Sequence, residues 1–315
     1  YLTLGTIGTT PTKEFLNRTL SYIPFLWIRL VWPKIANEVL SQFKKKYYSR
    51  FLAHNIDSVY IDRFYLSLSS LLKNAPHSIR HLTMSELLHF ISKAITSFLN
   101  FLKISPDLFI SEKREHQDFC LSIYNSIREE LLDHPNALKI STYLAIRANW
   151  IDCYDDDVKD FLNGFLLEIN QCLDSGNIPN TRLSTYYDFS ELEKRINLPS
   201  QNIMYELDNS GEFFFDCLLI ELLLSKGHHV TMVAKKAPFL NDILYTDCKE
   251  ILNSDALSHF KPYLRSNQLK LIHSNSEVAG KCLNSVGDDY CDDYLKCDWI
   301  ILKGQANFQT MPIAD

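Results

Sequence analysis

The sequence predicts an α/β protein in which a helical N-terminal domain packs on a doubly wound, mostly parallel sheet of the Rossmann-like kind. Apolar residues before about position 180 recur at helical spacing, whereas after about position 200 short β-rich runs alternate with helical segments. Such alternation is typical of βαβ units around a parallel sheet. With 315 residues the chain is long enough for two domains. We therefore predict an all-helical domain over 1–180 and an α/β domain over 181–315, connected through the polar stretch at about 175–200.

Six helices are predicted in the first half. The clearest begins at the capping box of Thr83 and Glu86 and carries one apolar stripe. The stripe consists of Leu87, Leu88, Ile91, Ile95, Phe98 and Leu102. Weaker stripes of the same period run over 35–52, 57–74, 112–132, 138–152 and 157–174.

The second half contains four apolar, β-rich runs separated by helical segments. The predicted strands are Ile203–Leu207, Val230–Ala234, Leu269–His273 and Trp299–Leu302. The predicted helices are 211–226, about 240–253 and 276–286. Ligand sites of open α/β sheets lie at the carboxyl ends of the strands, so polar residues that directly follow these runs are the candidate site.

Composition and charge exclude other classes of protein. The net charge is −6 and the only basic run is Lys44-Lys45-Lys46, which argues against a nucleic-acid binder. The apolar segment 23–32 contains Arg29 and is too short to cross a bilayer. Eight scattered cysteines without a CxxC pair indicate a reduced, cytoplasmic protein. We therefore expect neither nucleic acid nor membrane as a partner.

Oxygen ligands follow two of the predicted strands. Asp208 and Asn209 come directly after the first strand, and Asp247 follows the second by a loop. Two carboxylates and an amide form a hard, oxygen-only site that suits Mg²⁺ or Mn²⁺. A metal there can polarise a phosphoryl oxygen and lower the pKa of bound water. The spacing therefore predicts metal-dependent phosphoester chemistry.

Other residues at the same strand ends favour an anion. Gly211 lets the backbone approach a ligand at a helix N-terminus, whose free N–H groups attract negative charge. Lys303 and Lys235 each end a strand, so each is either a point charge for phosphate or a solvated lysine. Asn307 can contribute an amide from the loop after Lys303.

The acids near Gly211 and after the second strand have alternative roles. Glu212 either complements the helix dipole or accepts hydrogen bonds from sugar hydroxyls. We expect Asp216, one turn further, to be an exposed or capping acid. Asn241 and Asp242 either face the crevice or cap the following helix.

These residues form three ordered motifs. Asp208 to Asp216 read Asp-Asn-x-Gly-Glu-x3-Asp, Lys235 to Asp247 read Lys-x2-Pro-x2-Asn-Asp-x4-Asp, and Lys303 to Asn307 read Lys-Gly-Gln-x-Asn. In this order the motifs resemble the DUF89 family of metal-dependent damage-control phosphatases, which includes ARMT1-like proteins. The resemblance covers roughly residues 147–309.

The resemblance implies an active site between the two domains and hydrolysis of small phosphorylated metabolites such as sugar phosphates. Mn²⁺ or Mg²⁺, with Co²⁺ or Ni²⁺ as alternatives, would be bound by Asp208, Asn209 and Asp247. Glu212 would contact sugar, and Lys303 phosphate. Asn149 and Asp152, at i and i+3 on one helix face, resemble a family motif that faces the pocket; without the resemblance both would be helix-surface polar residues.

The predicted site thus has three groups of residues. The catalytic group is Asp208, Asn209 and Lys303; the metal ligands are Asp208, Asn209 and Asp247; the substrate-binding residues are Glu212, Asn149, Asp152, Asp242, Lys235 and Asn307. Attack on phosphorus by water and attack by an aspartate are both compatible with the sequence. The pattern does not indicate which phosphorylated metabolite is the substrate, which metal is native or what the oligomeric state is.

Departures from the family pattern leave two other functions open. Gln309 stands where family members commonly have an acid, and we find no counterpart of the Arg-Thr-x-Lys motif of ARMT1-like proteins before Asp315. Either the α/β domain continues beyond Asp315 or the chain is a divergent member. One alternative is a catalytically weakened ligand-binding or regulatory protein. The other is a carboxyl methyltransferase, which the lack of a GxGxxG turn disfavours.

Overall fold

The computed structural model describes residues 2–4, 25–74, 84–151, 158–179, 189–275, 280–281 and 286–310. In these ranges a series of helices lies between a short first strand and the other four strands of a five-stranded, wholly parallel sheet with helices on both faces. The fold is therefore α/β with a helical N-terminal part, as predicted. Asp152 lies outside the described residues.

All six helices predicted for the first half are present. They are α1 (Phe25–Ala53), α2 (Ser58–Lys73), α3 (Met84–Phe101), α4 (Ile110–Asp133), α5 (Ala137–Ala148) and α6 (Val158–Ser175). The start of α2 is set by Asp57, whose carboxylate accepts a hydrogen bond from the backbone N–H of Val59 at 2.8 Å. A further helix, α7 (Phe189–Ile196), lies in the predicted connection. Among the described residues, no helix has both the length and the apolar character needed to cross a membrane.

The sheet has the strand order β1-β5-β2-β3-β4. Its strands are β1 (Leu2–Leu4), β2 (Asn202–Glu206), β3 (His229–Ala234), β4 (Leu269–His273) and β5 (Trp299–Lys303). The chain runs outward from β2 through β3 to β4, and then returns to place β5 on the other side of β2. The topological switch point is therefore between β2 and β5, which is where open α/β sheets bind ligands.

Four of the strands agree with the predicted ones to within one residue at each end. Strand β1 was not predicted, because its three residues are too few to show a periodicity. It lies in the region predicted as all-helical and pairs with β5 of the α/β part. The remaining helices are α8 (Phe213–Ser225), α9 (Tyr245–Asn253), α10 (Lys261–Arg265), α11 (Asp288–Lys296) and α12 (Gln305–Thr310).

Two predicted helices in the second half need correction. The helix predicted over 240–253 begins only at Tyr245, because the preceding loop contains Leu240 with a φ of +49°. The helix predicted over 276–286 is absent at 280–281, where Gly280 has a φ of +72°; the positions 276–279 and 282–285 lie outside the described residues. Helix α11, which was not predicted, follows this segment.

Apolar side chains divide into a large core and a smaller one. The large core joins α4, α5 and α6 to α8 and to one face of the sheet, which presents residues such as Tyr205 and Met232. The opposite face presents Met204 and Val233 to α11. The smaller core lies between α1, α2 and α3. Helices α4 to α6 come before residue 180 but share the core of the sheet. The predicted domain boundary at residue 180 stays a prediction.

Candidate metal and phosphate site

Polar side chains converge at the carboxyl ends of β2, β3 and β5. Asp208 follows β2, Lys235 follows β3, and Lys303 is the last residue of β5. The register pairs Glu206 with both Val233 and Leu302, so the three strands end at the same level. The candidate site is therefore at the topological switch point.

A backbone ladder holds the Asp208 turn against the loop of residues 235–244, which connects β3 to α9 and is called the Asp242 loop below. The N–H of Ile243 donates to the carbonyl of Asp208 at 2.8 Å, and the N–H of Ser210 donates to the carbonyl of Asn241 at 2.9 Å. Asn209 and Asp242 form an isolated antiparallel bridge between these bonds. The ladder places Asp242 directly beside the Asp208–Asn209 turn.

The Asp208 carboxylate is enclosed by polar neighbours and by Gly304. Its Oδ2 accepts a hydrogen bond from the side-chain amide of Asn149 at 2.9 Å. Burial, and then the charges of Asp242 and Glu212, raise the pKa of Asp208 well above its usual value, against the hydrogen bond from Asn149. A Cβ at Gly304 would overlap the Asp208 carboxylate, so only glycine allows this approach. Asp208 is thus a carboxylate whose charge needs a compensating cation.

Lys303 is fully buried behind Asp208 and is bound by two acids. Its Nζ lies 3.0 Å from Glu212 Oε2 and 2.6 Å from Asp216 Oδ1. Burial alone would lower the pKa of Lys303, but the charges of Asp216 and Glu212 outweigh it and the pKa is raised. Two of the three ammonium donors are therefore engaged by carboxylates, and the phosphate contact of Lys303 stays a prediction.

Glu212 is engaged through both carboxylate oxygens. Oε1 accepts the backbone N–H of Asn209 at 2.8 Å, and Oε2 accepts the amide of Asn149 at 3.1 Å as well as Lys303. Asp216, expected to be exposed, is fully buried, and it accepts the Tyr205 hydroxyl at 2.7 Å. Burial raises the pKa of Asp216 to about 7 despite the opposing charge of Lys303. In this geometry both acids hold the strand ends together, and the sugar contact of Glu212 stays a prediction.

A second buried lysine accompanies Lys235 at the end of β3. Lys235 Nζ donates to the carbonyl of Gly280 at 2.9 Å and lies 3.6 Å from Asp242 Oδ2. Burial, and then the charge of Lys281, lower the pKa of Lys235 to about 8. Lys281 is itself paired with Glu206 at 2.7 Å. Neither Lys281 nor Glu206 was predicted as a site residue, because Lys281 belongs to no strand-end pattern and Glu206 was predicted only as part of a strand.

Asn307 is engaged by backbone rather than aimed at a ligand. Its side-chain N–H groups donate to the carbonyls of Leu207 at 3.0 Å and Lys303 at 2.8 Å. Its Oδ1 lies 3.4 Å from Lys281 Nζ. The residue therefore ties the end of β5 to the end of β2, and its predicted substrate contact stays a prediction.

Asp247 is the predicted ligand that the structure does not bring to the site. It lies in the first turn of α9, where its Oδ2 accepts the backbone N–H of Leu244 at 3.3 Å. The same oxygen lies 3.8 Å from Lys113 Nζ, and Lys113 in turn lies 2.6 Å from Asp107. In the described part of the chain these contacts turn Asp247 toward α4, and Asp242 takes the place beside Asp208 and Asn209.

The charges at the strand ends leave a deficit of positive charge. Five carboxyl groups face three ammonium groups, which gives an excess of two negative charges when all eight groups are ionised; the residues are Asp208, Glu212, Asp216, Asp242, Glu206, Lys235, Lys281 and Lys303. Within the described part of the chain, Asp208 is the only one of the five acids that forms no ion pair with lysine. One divalent cation would balance the excess.

The donor set fits such a cation only if an amide takes part. Among the described residues, no three His, Cys, Asp or Glu side chains converge closely enough to hold a metal. Asn209 supplies the missing oxygen: its Nδ2 is directed to Asp208 Oδ2 at 3.4 Å and to the Asn149 carbonyl at 3.5 Å, leaving Oδ1 for a ligand. Asp208, Asn209 and Asp242 together are a hard oxygen set of the kind that Mg²⁺ and Mn²⁺ prefer.

Comparisons with known proteins identify relatives of this chain. Damage-control phosphatase PH1575 of Pyrococcus horikoshii is 27% identical over 229 residues, which is 69% of each chain. A damage-control phosphatase of Archaeoglobus fulgidus is 23% identical over 122 residues, 39% of this chain and 38% of that protein. The crystal structure of PH1575, a DUF89 family protein, has the same fold, with a TM-score of 0.61 and 21% identity over 93% of this chain and 88% of that one.

The sequence profile of the damage-control phosphatase ARMT1-like domain matches residues 29–313, most of the chain. The matched region includes every residue of the candidate site. The protein belongs to the ARMT1-like domain family.

Proposed function

We propose that this protein is a divalent-metal-dependent phosphatase that hydrolyses small phosphorylated metabolites such as sugar phosphates. Two named relatives are damage-control phosphatases, which supports phosphatase activity in this chain. The observation that carries the proposal is the Asp208–Asn209 turn held against Asp242 at the strand ends, where five carboxyl groups face three ammonium groups.

In this proposal Asp208, Asn209 and Asp242 hold Mn²⁺ or Mg²⁺, with Co²⁺ and Ni²⁺ as alternatives. Asp242 replaces the Asp247 of the sequence prediction, because the backbone ladder brings Asp242 beside Asn209 whereas Asp247 contacts Lys113. When bound, the metal supplies a Lewis acid for a phosphoryl oxygen and lowers the pKa of a bound water.

The chain's own residues then neutralise and orient the phosphoryl group. Lys235, beside Asp242, and the remaining donor of Lys303 offer positive charge to phosphoryl oxygens as charge spreads over them in the transition state. Asn149 fixes the orientation of the Asp208 carboxylate. Water attacks phosphorus, either directly or after the phosphoryl group has passed to an aspartate. The bond from phosphorus to the sugar oxygen breaks, the oxygen of water ends in inorganic phosphate, and the sugar oxygen takes up a proton and leaves as a hydroxyl.

Phosphate release from a panel of metabolites tests the activity. The chelated protein is supplied in turn with Mn²⁺, Mg²⁺, Co²⁺ or Ni²⁺ and offered sugar phosphates, nucleotides and phosphorylated amino acids. We expect release from sugar phosphates only with metal. Silence across the whole panel with every metal would contradict the proposal.

Two isosteric variants decide the third ligand. Asp242→Asn should weaken Mn²⁺ binding and turnover by more than about a hundredfold, the upper loss for an outer-shell partner of a metal site. Asp247→Asn, an equal change five positions along the chain, should leave Mn²⁺ affinity within about twofold of wild type. The reverse pattern would restore the sequence-based assignment of Asp247 and remove Asp242 from the site.

A further inference from the structure

The Asp242 loop has a polar side and an apolar side. The polar side forms the backbone ladder with the Asp208 turn. On the apolar side Phe239 is only 3% exposed and Leu240 is partly buried. The loop therefore contacts two different parts of the protein within four residues.

Phe239 belongs to the small core between α1, α2 and α3. Its ring meets that of Phe43 edge-on, with centroids 5.9 Å apart and planes at 71°. Among the described residues it is the only buried member of that core that the chain supplies after Phe109. The phenol of Tyr47, on the same helix as Phe43, lies within hydrogen-bonding range of the backbone of Leu240. The helical N-terminal part thus holds the Asp242 loop through this aromatic anchor.

The backbone between Phe239 and the proposed metal ligand Asp242 is short and conformationally constrained. Leu240 has a φ of +49°, a left-handed conformation that costs a non-glycine residue about 1–2 kcal/mol. The N–H of Asp242 donates to the carbonyl of Phe239 at 3.0 Å and closes the turn between them. A strained backbone persists where its surroundings on both sides fix it. Here the fixed points are the small core and the ladder to Asp208.

We propose that Phe239 is a positioning residue: its packing in the core of α1–α3 holds Asp242 against the Asp208–Asn209 turn, so metal affinity depends on the helical part of the chain. The inference rests on the proposed function, because it takes Asp242 as a metal ligand. Phe239 itself touches neither metal nor substrate. Removing the ring frees the loop on one side and lets Asp242 move away from Asn209.

Calorimetric titration with Mn²⁺ tests the positioning role without measuring activity. The proteins are wild type, Phe239→Ala, the milder Phe239→Leu, Phe98→Ala and Asp242→Asn, each checked for folding by circular dichroism. Phe98 packs against the same core through Phe51 and Phe64, but its described ring contacts do not reach the loop. It therefore reports what a loss of core stability alone does to Mn²⁺ binding.

We expect Phe239→Ala to raise the Kd for Mn²⁺ by at least about tenfold, as loss of an outer-shell partner does, and Phe239→Leu to raise it less. Phe98→Ala should keep the wild-type Kd, and Asp242→Asn should raise it by more than about a hundredfold. Wild-type affinity in both Phe239 variants, or an equal loss in Phe98→Ala, would overturn the positioning role while the metal site stands. Wild-type affinity in Asp242→Asn would overturn the proposed ligand and the positioning role together.

Discussion

Gly304 makes the sharpest test of the geometry around Asp208. It follows β5 with a φ of +74°, and a Cβ at this position would overlap the carboxylate of Asp208. In Gly304→Ala, either the Asp208 side chain rotates away or the turn after β5 shifts. We therefore expect a less stable protein that also binds Mn²⁺ more weakly.

The magnitude has two parts that another glycine separates. The left-handed conformation costs alanine about 1–2 kcal/mol, and overpacking adds about 1–3 kcal/mol. Gly227 has a φ of +89°, but a Cβ added there would have no neighbour within 4 Å, so Gly227→Ala carries the conformational part alone. We expect Gly304→Ala to lower the free energy of unfolding by about 2–5 kcal/mol, against about 1–2 kcal/mol for Gly227→Ala.

Urea unfolding measures these differences, and a double-mutant cycle assigns them. In an Asp208→Ala background the overlapped carboxylate is gone, so Gly304→Ala should cost little more than Gly227→Ala does. A cost in the wild-type background no larger than that of Gly227→Ala, or an excess that persists without the Asp208 carboxylate, would refute the close approach of these two residues.

Three further predictions concern charge. Burial alone would raise the pKa of Glu221, but hydrogen bonds from His259 and Arg128 lower it below its usual value of 4.5. The contribution of Glu221 to stability is therefore present above about pH 4.5 and lost as the pH falls through the lowered pKa, so Glu221→Gln should flatten the pH dependence of urea-unfolding stability below about pH 4.5. Lys281→Met leaves the buried Glu206 carboxylate with the hydrogen bond from the Tyr290 hydroxyl but without its cation, and it should destabilise by about 3–5 kcal/mol. A second change, Glu206→Gln, should largely reverse this loss in the same assay. Mn²⁺ at a hundred times its Kd should stabilise the protein by about 2.7 kcal/mol, and EDTA should remove this gain in a thermal melt.

Local patterns were sufficient for much of the fold. Strands β2 to β5 could be predicted because each is a short run of five or six residues, rich in apolar and β-forming side chains and bounded by polar segments. Asp208, Asn209, Lys235 and Lys303 could be predicted as site residues because they directly follow such runs. Parallel strands bring their carboxyl ends to one edge whatever the intervening sequence is.

Long-range pairing could not be predicted from local patterns. Asp242 and Asp247 both follow β3 within one motif, and only the backbone ladder to the Asp208 turn shows which of them approaches Asn209. The left-handed Leu240 that makes this ladder possible has no local signal, since leucine rarely adopts it. Lys281 was missed for a related reason, because its partner Glu206 is distant in sequence.

The two apolar cores give the metal ligands unequal support. Asn149, which orients Asp208, is the last residue before Trp150 and Ile151, and Ile151 is fully buried in the large core shared by α4–α6 and the sheet. Asp208 and its orienting partner therefore belong to one packed unit. Asp242 is held on one side by that unit and on the other by Phe239, which lies in the small core of α1–α3. We therefore expect a change in the packing of the small core to shift Asp242 more than it shifts Asp208 or Asn149.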